Sequence, residues 1–282
     1  MIIISIIIPT YGRVKYLERA INSIGNCHDL EIIVVDDNIA GSDLKLEVRQ
    51  ICKRLGKLKN IIYLDLLTNY GAALARNRGV EIAKGKYISF LDDDDVYYPN
   101  KILLEQSCIK KLEPDLIYSK AKNFGKLVNF EFDKKHLLKM QLIKSVCTTS
   151  SITIKKSYFK EINGFNNIKS SQESELLLRV FSDQNAHIHF IDEVLIERFI
   201  DTEESISKRT RSGITSYLTF RLKYLDTQSL LIKAFVISTV IVNFIIIQDK
   251  KSQKLILYLL FSINIFFYIL SKIYIRLHAK TK

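Results

Sequence analysis

Along the first 120 residues, short and nearly unbroken apolar runs alternate with segments whose apolar residues recur every three or four positions. The runs occupy 2–8 (IIISIII), 31–35 (EIIVV), 61–66, 87–91 and 116–118, and the periodic segments occupy 13–24, 44–55, 72–83 and 100–112. The first pattern predicts strands buried on both faces, the second amphipathic helices, and their order is βαβαβαβαβ. The expected fold class is therefore α/β, with a mostly parallel central sheet covered by helices on both faces. In such a sheet the C-terminal strand ends open onto one crevice, so ligand contacts are expected at 9–13, 36–38 and 92–95. From 121 to 200 the pattern is mixed. It predicts strands at 151–154 and 187–191 and a helix at 173–182, following the turn signal Asn163-Gly164; this segment is expected to extend the sheet and close the crevice.

Beyond residue 200 the periodicity is lost. Two stretches, 230–247 interrupted by Lys233 and 255–270 continuing past Lys272 to 275, are apolar around their whole circumference and are joined by the polar link 248–254. Roughly 20 apolar residues span a bilayer core, so the pair reads as a membrane-associating helical hairpin. A shallow or re-entrant hairpin and a buried helical pair capping a soluble domain remain the alternatives. The expected organisation is an α/β domain at 1–200, a basic membrane-proximal linker at 201–228, the apolar hairpin at 229–276 and a basic tail at 277–282.

Charge sharpens this division. The chain of 282 residues has 42 Lys and Arg against 30 Asp and Glu, and 13 of the basic but only 5 of the acidic side chains lie beyond residue 200. Basic residues before and after the hairpin outnumber those in its link, which places the first 200 residues on the cytoplasmic face of the membrane. The basic stretch 205–224 interleaves Tyr217, Phe220 and Tyr224, but with no nucleic-acid module and a hairpin directly after it, contact with anionic headgroups is the expectation and nucleic acid is not. A hydrophobic content of 48 % with 3 Pro and 10 Gly excludes a disordered or low-complexity chain. Cys27, Cys52, Cys108 and Cys147 form no paired metal-binding spacing, which suits a reduced compartment. The opening apolar run is a strand and not a signal peptide, since it has no basic region before it and no cleavage site after it.

The segment most informative about chemistry is Asp92-Asp93-Asp94-Asp95, four carboxylates in a row at the end of a buried strand. Their mutual repulsion calls for a cation, and hard ions such as Mg²⁺ or Mn²⁺ take oxygen ligands and share them with phosphates. A solvated acidic loop capping the next helix is the alternative. Asp36 and Asp37 end the second strand, so two acidic groups approach one crevice. A receiver domain also gathers acids at strand ends, but it is too short to account for 121–282.

The segments IIIPTYGRVKYLERAINSI, EIIVVDDNIAGSD, GAALARNRGVEIAKGKYISFLDDDDVYYPNKI and GFNNIKSSQESELLLRV, in this order, resemble an inverting family 2 glycosyltransferase of GT-A fold, over residues 1 to 200. The resemblance implies a metal-dependent, hexosyltransferase-like enzyme. It would move a sugar from a nucleoside-diphosphate sugar, with a UDP-sugar preferred, to a hydroxyl of a lipid-linked saccharide in bacterial surface polysaccharide synthesis. By the same resemblance, Pro9, Thr10 and Tyr11 lie against base and ribose, Asp37 recognises the base, and Arg76 lies near the nucleotide or donor sugar unless it is an exposed helix arginine. Asp92 and Asp94 hold the metal and Asp93 lies near the ribose. Glu173, where the family usually has Asp, is the catalytic base, with Glu175 as the neighbouring candidate. Family members often carry a His soon after the last strand, where this chain reads Glu197-Arg198-Phe199. A catalytically silent nucleotide-sugar-binding or membrane scaffold protein is the competing expectation, and the oligomeric state is not legible.

Overall fold

The computed structural model describes residues 2–25, 27–123, 134–143, 145–199, 220–221, 223–225, 230–247, 268 and 270. These residues divide into two compact units, each drawn from separate stretches of chain: Met1–Phe130, Cys147–Asn167 and Asn185–Ser205 in the first, and Glu131–Val146, Ile168–Gln184 and Ile206–Lys282 in the second. The stretch 1–200, expected as a single domain, thus contributes to both.

The first unit is built on one sheet of eight strands: β1 (Ile4–Thr10), β2 (Leu30–Asp36), β3 (Ile61–Asp65), β4 (Tyr87–Phe90), β5 (Val96–Tyr97), β6 (Leu116–Lys122), β7 (Ile152–Lys155) and β8 (Ile188–Glu197). Their spatial order is β3-β2-β1-β4-β7-β6-β8-β5. Strands β3, β2, β1 and β4 are parallel, as the alternating pattern predicts. The fifth expected strand, β6, runs in the same direction but does not pair with β4: β7, which arrives later in the chain, inserts antiparallel between them. A strand of four residues reads the same from sequence in either direction, so its neighbours are set by tertiary pairing and not by local pattern.

Helices α1 (Val14–Ser23), α2 (Asp43–Leu55), α3 (Ala72–Ile82) and α4 (Lys101–Leu112) follow β1, β2, β3 and β5. On one face, Ile4, Ile6 and Ile8 of β1 share a core with Val14 and Leu17 of α1, Val48 and Cys52 of α2, and Ile102 and Ile109 of α4. On the other face Ile7 meets α3. There a Cβ added at Gly79 would lie 2.6 Å from Ile7 Cγ2 and 3.0 Å from Val35 Cγ2, so the helix rests on the sheet at a distance only glycine allows. Gly79→Val is accordingly expected to overpack this contact and destabilise the unit by about 1–3 kcal/mol, read as a lower urea midpoint at unchanged slope.

A short helix, α5 (Lys134–Ile143), belongs to the second unit; α6 (Lys156–Glu161) belongs to the first and brings Phe159 against Phe90 and Phe165, with ring centres 5.8 and 5.6 Å away. The turn at Asn163 and Gly164 takes φ of 61° and 59°. It presents Phe165 to α3, where Asn77 Oδ1 accepts the Phe165 N–H at 3.0 Å and Asn77 Nδ2 donates to the Phe165 carbonyl at 2.8 Å.

The second unit contains α5, α7 (Gln172–Ser182) and α8 (Leu230–Ile247), and α5 packs against both other helices. Buried Gln141 ties it together: its Nε2 donates to Ser174 O at 3.2 Å, its Oε1 accepts the Val146 N–H at 2.7 Å, and its carbonyl accepts Arg221 Nη2 at 3.3 Å. Arg221, read from sequence as part of a headgroup-facing basic stretch, is instead 1 % exposed. Of the expected hairpin, 230–247 is helical, with Ile232, Phe235 and Val236 buried and Leu230 exposed. Apart from Tyr268 and Leu270, its second stretch lies outside the described residues, as do the link, the tail and most of 201–228. Among the described residues no helix is long and apolar enough to cross a membrane.

Candidate active site

The sheet order makes β1 and β4 neighbours although the chain leaves β1 toward β2 on the opposite side. Loops leaving their C-terminal ends diverge, and the crevice this opens is where doubly wound sheets bind ligands. Thr10–Arg13, Asp36–Asn38, Asp65 and Asp92–Asp95 all follow or end strands at this edge. The predicted residues of the first unit are therefore brought together; Glu173 belongs to the second unit.

At the β2 end, two adjacent acids have separate tasks. Asp36 is fully buried and accepts from the Asn38 N–H at 3.0 Å, Asn38 Nδ2 at 2.8 Å and the Tyr63 hydroxyl at 2.8 Å. Asn38 in turn accepts the Gly12 N–H at 2.8 Å, where the chain takes φ of 72° after β1, so one side chain joins two loops. Asp37 N–H donates to the Thr10 carbonyl at 3.0 Å, and its carboxylate accepts the backbone N–H groups of Tyr70 and Gly71, each at 2.8 Å. Burial pushes the Asp37 carboxyl above its ordinary range, against those two donors. Pro9 and Thr10 are buried, and Tyr11 stands exposed at the rim.

At the β4 end every acid is held differently. Asp92, partly exposed, takes Arg76 Nη2 at 2.5 Å. Arg76 is only 6 % exposed and its guanidinium lies 5.5 Å from the Phe165 ring centre, so it is a buried member of the site and not a solvent-facing helix residue. Asp93 is turned inward, 1 % exposed, with Arg13 Nη2 2.6 Å from its carboxylate. The other arm of the same guanidinium, Nη1, holds Asp94. Asp95 is buried, with one oxygen accepting the Ser150 hydroxyl at 2.6 Å and the other the Phe199 N–H at 3.1 Å; Ser150 also accepts the Asp92 N–H at 3.1 Å. Arg19 donates to the Asp94 carbonyl at 2.7 Å and lies over the rings of Phe199 and Tyr16. Arg13, Asn38 and Asp95 fall within the stretches where ligand contacts are expected but have no individual role from sequence, and Ser150 lies outside those stretches altogether. Arg13 has a local signal, since it is the first cation after the β1 turn, whereas Ser150 has none.

Asp92, Asp94 and Asp95 each bring one carboxylate oxygen within 4.8 Å of the others. Three hard oxygen donors of this kind fit a divalent cation such as Mg²⁺ or Mn²⁺. The electrostatics agree. Burial, with like charge from neighbouring acids added, pushes both Asp93 and Asp95 up from 3.8 to about 7. A carboxyl whose folded value is raised binds more protons folded than unfolded, so metal-free stability declines as pH rises from about 4 to about 7. EDTA-treated protein is expected to melt at a lower temperature at pH 8 than at pH 5, and Mn²⁺ should raise that temperature more at pH 8. A metal-free melting temperature whose pH dependence is unchanged by Asp95→Asn would contradict this.

In the second unit α7 starts at Gln172, so Glu173 and Glu175 both occupy its first turn, where the helix dipole favours negative charge. They differ in partners. Glu175 is buried and gripped by Arg179, with Nη2 at 2.7 Å and Nε at 3.0 Å, while Glu173 is partly exposed and accepts the Ser174 hydroxyl at 3.2 Å.

Similarity to known proteins agrees with this arrangement. An uncharacterised glycosyltransferase of Rickettsia conorii is 28 % identical over 221 residues, which is 73 % of this chain and 35 % of that protein. The chain thus spans about a third of the length of the curated relative it matches. A Campylobacter jejuni protein named GalNAc(5)-diNAcBac-PP-undecaprenol beta-1,3-glucosyltransferase is 40 % identical over 94 residues, 33 % of this chain and 29 % of that one. Among solved structures, Staphylococcus aureus TarS with UDP-GlcNAc superposes with a TM-score of 0.67 at 18 % identity, covering 90 % of this chain and 78 % of that one. A Pyrobaculum calidifontis mannosyltransferase with GDP-Man and Mn²⁺ gives 0.57 at 14 % identity, covering 99 % and 75 %. These structures establish a GT-A-like α/β fold with a mostly parallel central sheet. Residues 5–163 match the family described as Glycosyl transferase family 2, more than half of the chain, and with its sheet order and strand-end acids the chain belongs to that family.

Proposed function

We propose that the protein transfers one sugar from a nucleoside-diphosphate sugar to a hydroxyl of a lipid-linked saccharide, with inversion, at the cytoplasmic face of the membrane in surface polysaccharide synthesis. The observation that carries this reading is the group of Asp92, Asp94 and Asp95 at the C-terminal edge of β4, flanked by Arg13 and Arg76. Nucleotide-sugar complexes of proteins sharing the fold support the donor class, and the name of the Campylobacter relative supports an acceptor carried on a lipid diphosphate.

The chain's own residues divide the work. Thr10, Tyr11 and Asp37 lie where a base and ribose would rest, and Arg76 supplies positive charge beside the acids. Asp92, Asp94 and Asp95 would hold Mg²⁺ or Mn²⁺, which when bound offsets charge on the departing diphosphate. Glu173 takes the acceptor hydroxyl's proton as that oxygen bonds to the anomeric carbon and the bond to the diphosphate oxygen breaks. A single displacement of this kind inverts the centre. Glu173 is preferred to Glu175 because it stands at the position of the base in the resembling motif and is more exposed than buried Glu175.

The decisive assay presents purified full-length protein with a panel of UDP- and GDP-sugars, an undecaprenyl-diphosphate-linked saccharide, and either Mn²⁺ or EDTA. Metal-dependent release of nucleoside diphosphate that requires the lipid-linked acceptor is the expected result. Donor binding without transfer to any acceptor would leave a nucleotide-sugar-binding protein instead. The membrane part of the reading rests on the apolar 18 residues of α8 and the excess of basic residues beyond 200. Recovery of full-length protein in the soluble fraction without detergent would refute it.

A further inference from the structure

The acids at the end of β4 already have cationic partners. Arg76 holds Asp92, while Arg13 divides one guanidinium between Asp93 and Asp94. The two acids held by Arg13 are not equivalent: Asp93 is 1 % exposed and faces inward, whereas the Asp94 side chain is 16 % exposed and belongs to the trio suited to a divalent ion. Arg13 itself is well placed to hold this position. It lies next to Gly12, whose N–H is fixed by Asn38, and it opens α1, whose apolar face is locked into the core. A planar guanidinium with two arms can keep one on the buried acid while the other occupies the outer acid.

We infer that Arg13 is a positioning residue that acts as a resident counter-cation, competing with the divalent ion for Asp94 and holding metal affinity down until nucleotide diphosphate is present. This rests on the metal-dependent reading above and adds the residue that tunes it. An ion entering at Asp94 shares one negative charge with Arg13 and is repelled by the guanidinium, so the arm on Asp94 is weakened or displaced, and the cost appears as weakened binding of metal alone. The nucleotide's diphosphate brings negative charge of its own and restores the balance. Metal and nucleotide then bind with positive coupling, and the coupling must be reciprocal.

The test is a Mn²⁺ titration followed by electron paramagnetic resonance of free Mn²⁺, on full-length wild type, Arg13→Gln and Arg13→Lys, each with and without UDP. Without UDP, Arg13→Gln is expected to bind Mn²⁺ about tenfold more tightly than wild type, a difference of about 1.4 kcal/mol. UDP should tighten Mn²⁺ binding strongly in wild type and much less in Arg13→Gln. Arg13→Lys guards against misfolding, because one ammonium can remain on buried Asp93 while leaving Asp94 open; it should show the same direction of change with a wild-type melting profile. Equal or weaker Mn²⁺ binding in both variants overturns the inference while the metal reading stands. If none of the three proteins binds Mn²⁺ even with UDP, the metal reading falls and the inference falls with it.

Discussion

Asp94→Asn is expected to lower sugar transfer by about 10²- to 10⁴-fold, because it removes a charged oxygen ligand from the three-carboxylate group and with it the counter-charge for the leaving diphosphate. The fold should survive. Asp94 is at the mouth of the crevice, and its loss leaves Arg13 on Asp93 and the Asp95 bonds to Ser150 and Phe199 untouched. The measurement is kcat under saturating Mn²⁺, set beside circular dichroism melting and Mn²⁺ binding. Wild-type turnover in Asp94→Asn, or in wild-type protein with excess EDTA, would show that the acids serve the structure and not the chemistry. Asp95→Asn is the instructive companion: it should lose activity, while its metal-free melting temperature should fall less between pH 5 and pH 8 than that of wild type, because the buried charge is gone.

The second large effect is expected at α7. Glu173→Gln preserves size and hydrogen bonding but cannot accept a proton, so transfer should fall by about 10²- to 10⁴-fold while donor binding is retained. Glu175→Gln should behave differently, since it breaks a half-buried ion pair with Arg179 and weakens the helix without removing a base. Isothermal titration with UDP and a transfer assay on both variants separate the roles. Should Glu175→Gln be the variant that binds donor but cannot transfer, the base lies two residues further along the helix than assigned.

How much of this was readable beforehand depended on whether the cause was local. Strands β1, β2 and β4 are buried on both faces, so their apolar runs are unbroken and their ends mark the crevice. The acids at those ends were visible for the same reason. Strand β5 has two residues and β7 only four, and their places depend on partners distant in sequence. Charged residues on α4 show where periodicity misleads. Lys101 and Glu105 are charged residues in the periodic segment 100–112, yet both are fully buried, because they pair with each other while Thr153 donates to Glu105 at 2.9 Å and Lys101 lies 4.6 Å from the Tyr97 ring centre. Burial of a charge is tolerated when its partner is buried too, and no single-residue pattern reports that. Ser150 was missed for a related reason, and Arg13, though inside the expected stretch 9–13, had no role of its own, as the importance of both lies in what they touch.

The grip of Ser150 and Phe199 on Asp95 also bears on how the protein emerges from the ribosome. The strands β1, β2, β3 and β4 can pair once roughly the first ninety residues are free, but the acid loop lacks its hydroxyl partner until residue 150 has been made and its second amide partner until residue 199. Contacts that span so much chain form late, after the entropy of closing the intervening loops has been overcome. A nascent chain stalled near residue 140 therefore carries the four parallel strands with the acid loop not yet set in place, and on the proposed function its capture of a divalent ion would report finished folding, arriving only when the last strand of the sheet has docked.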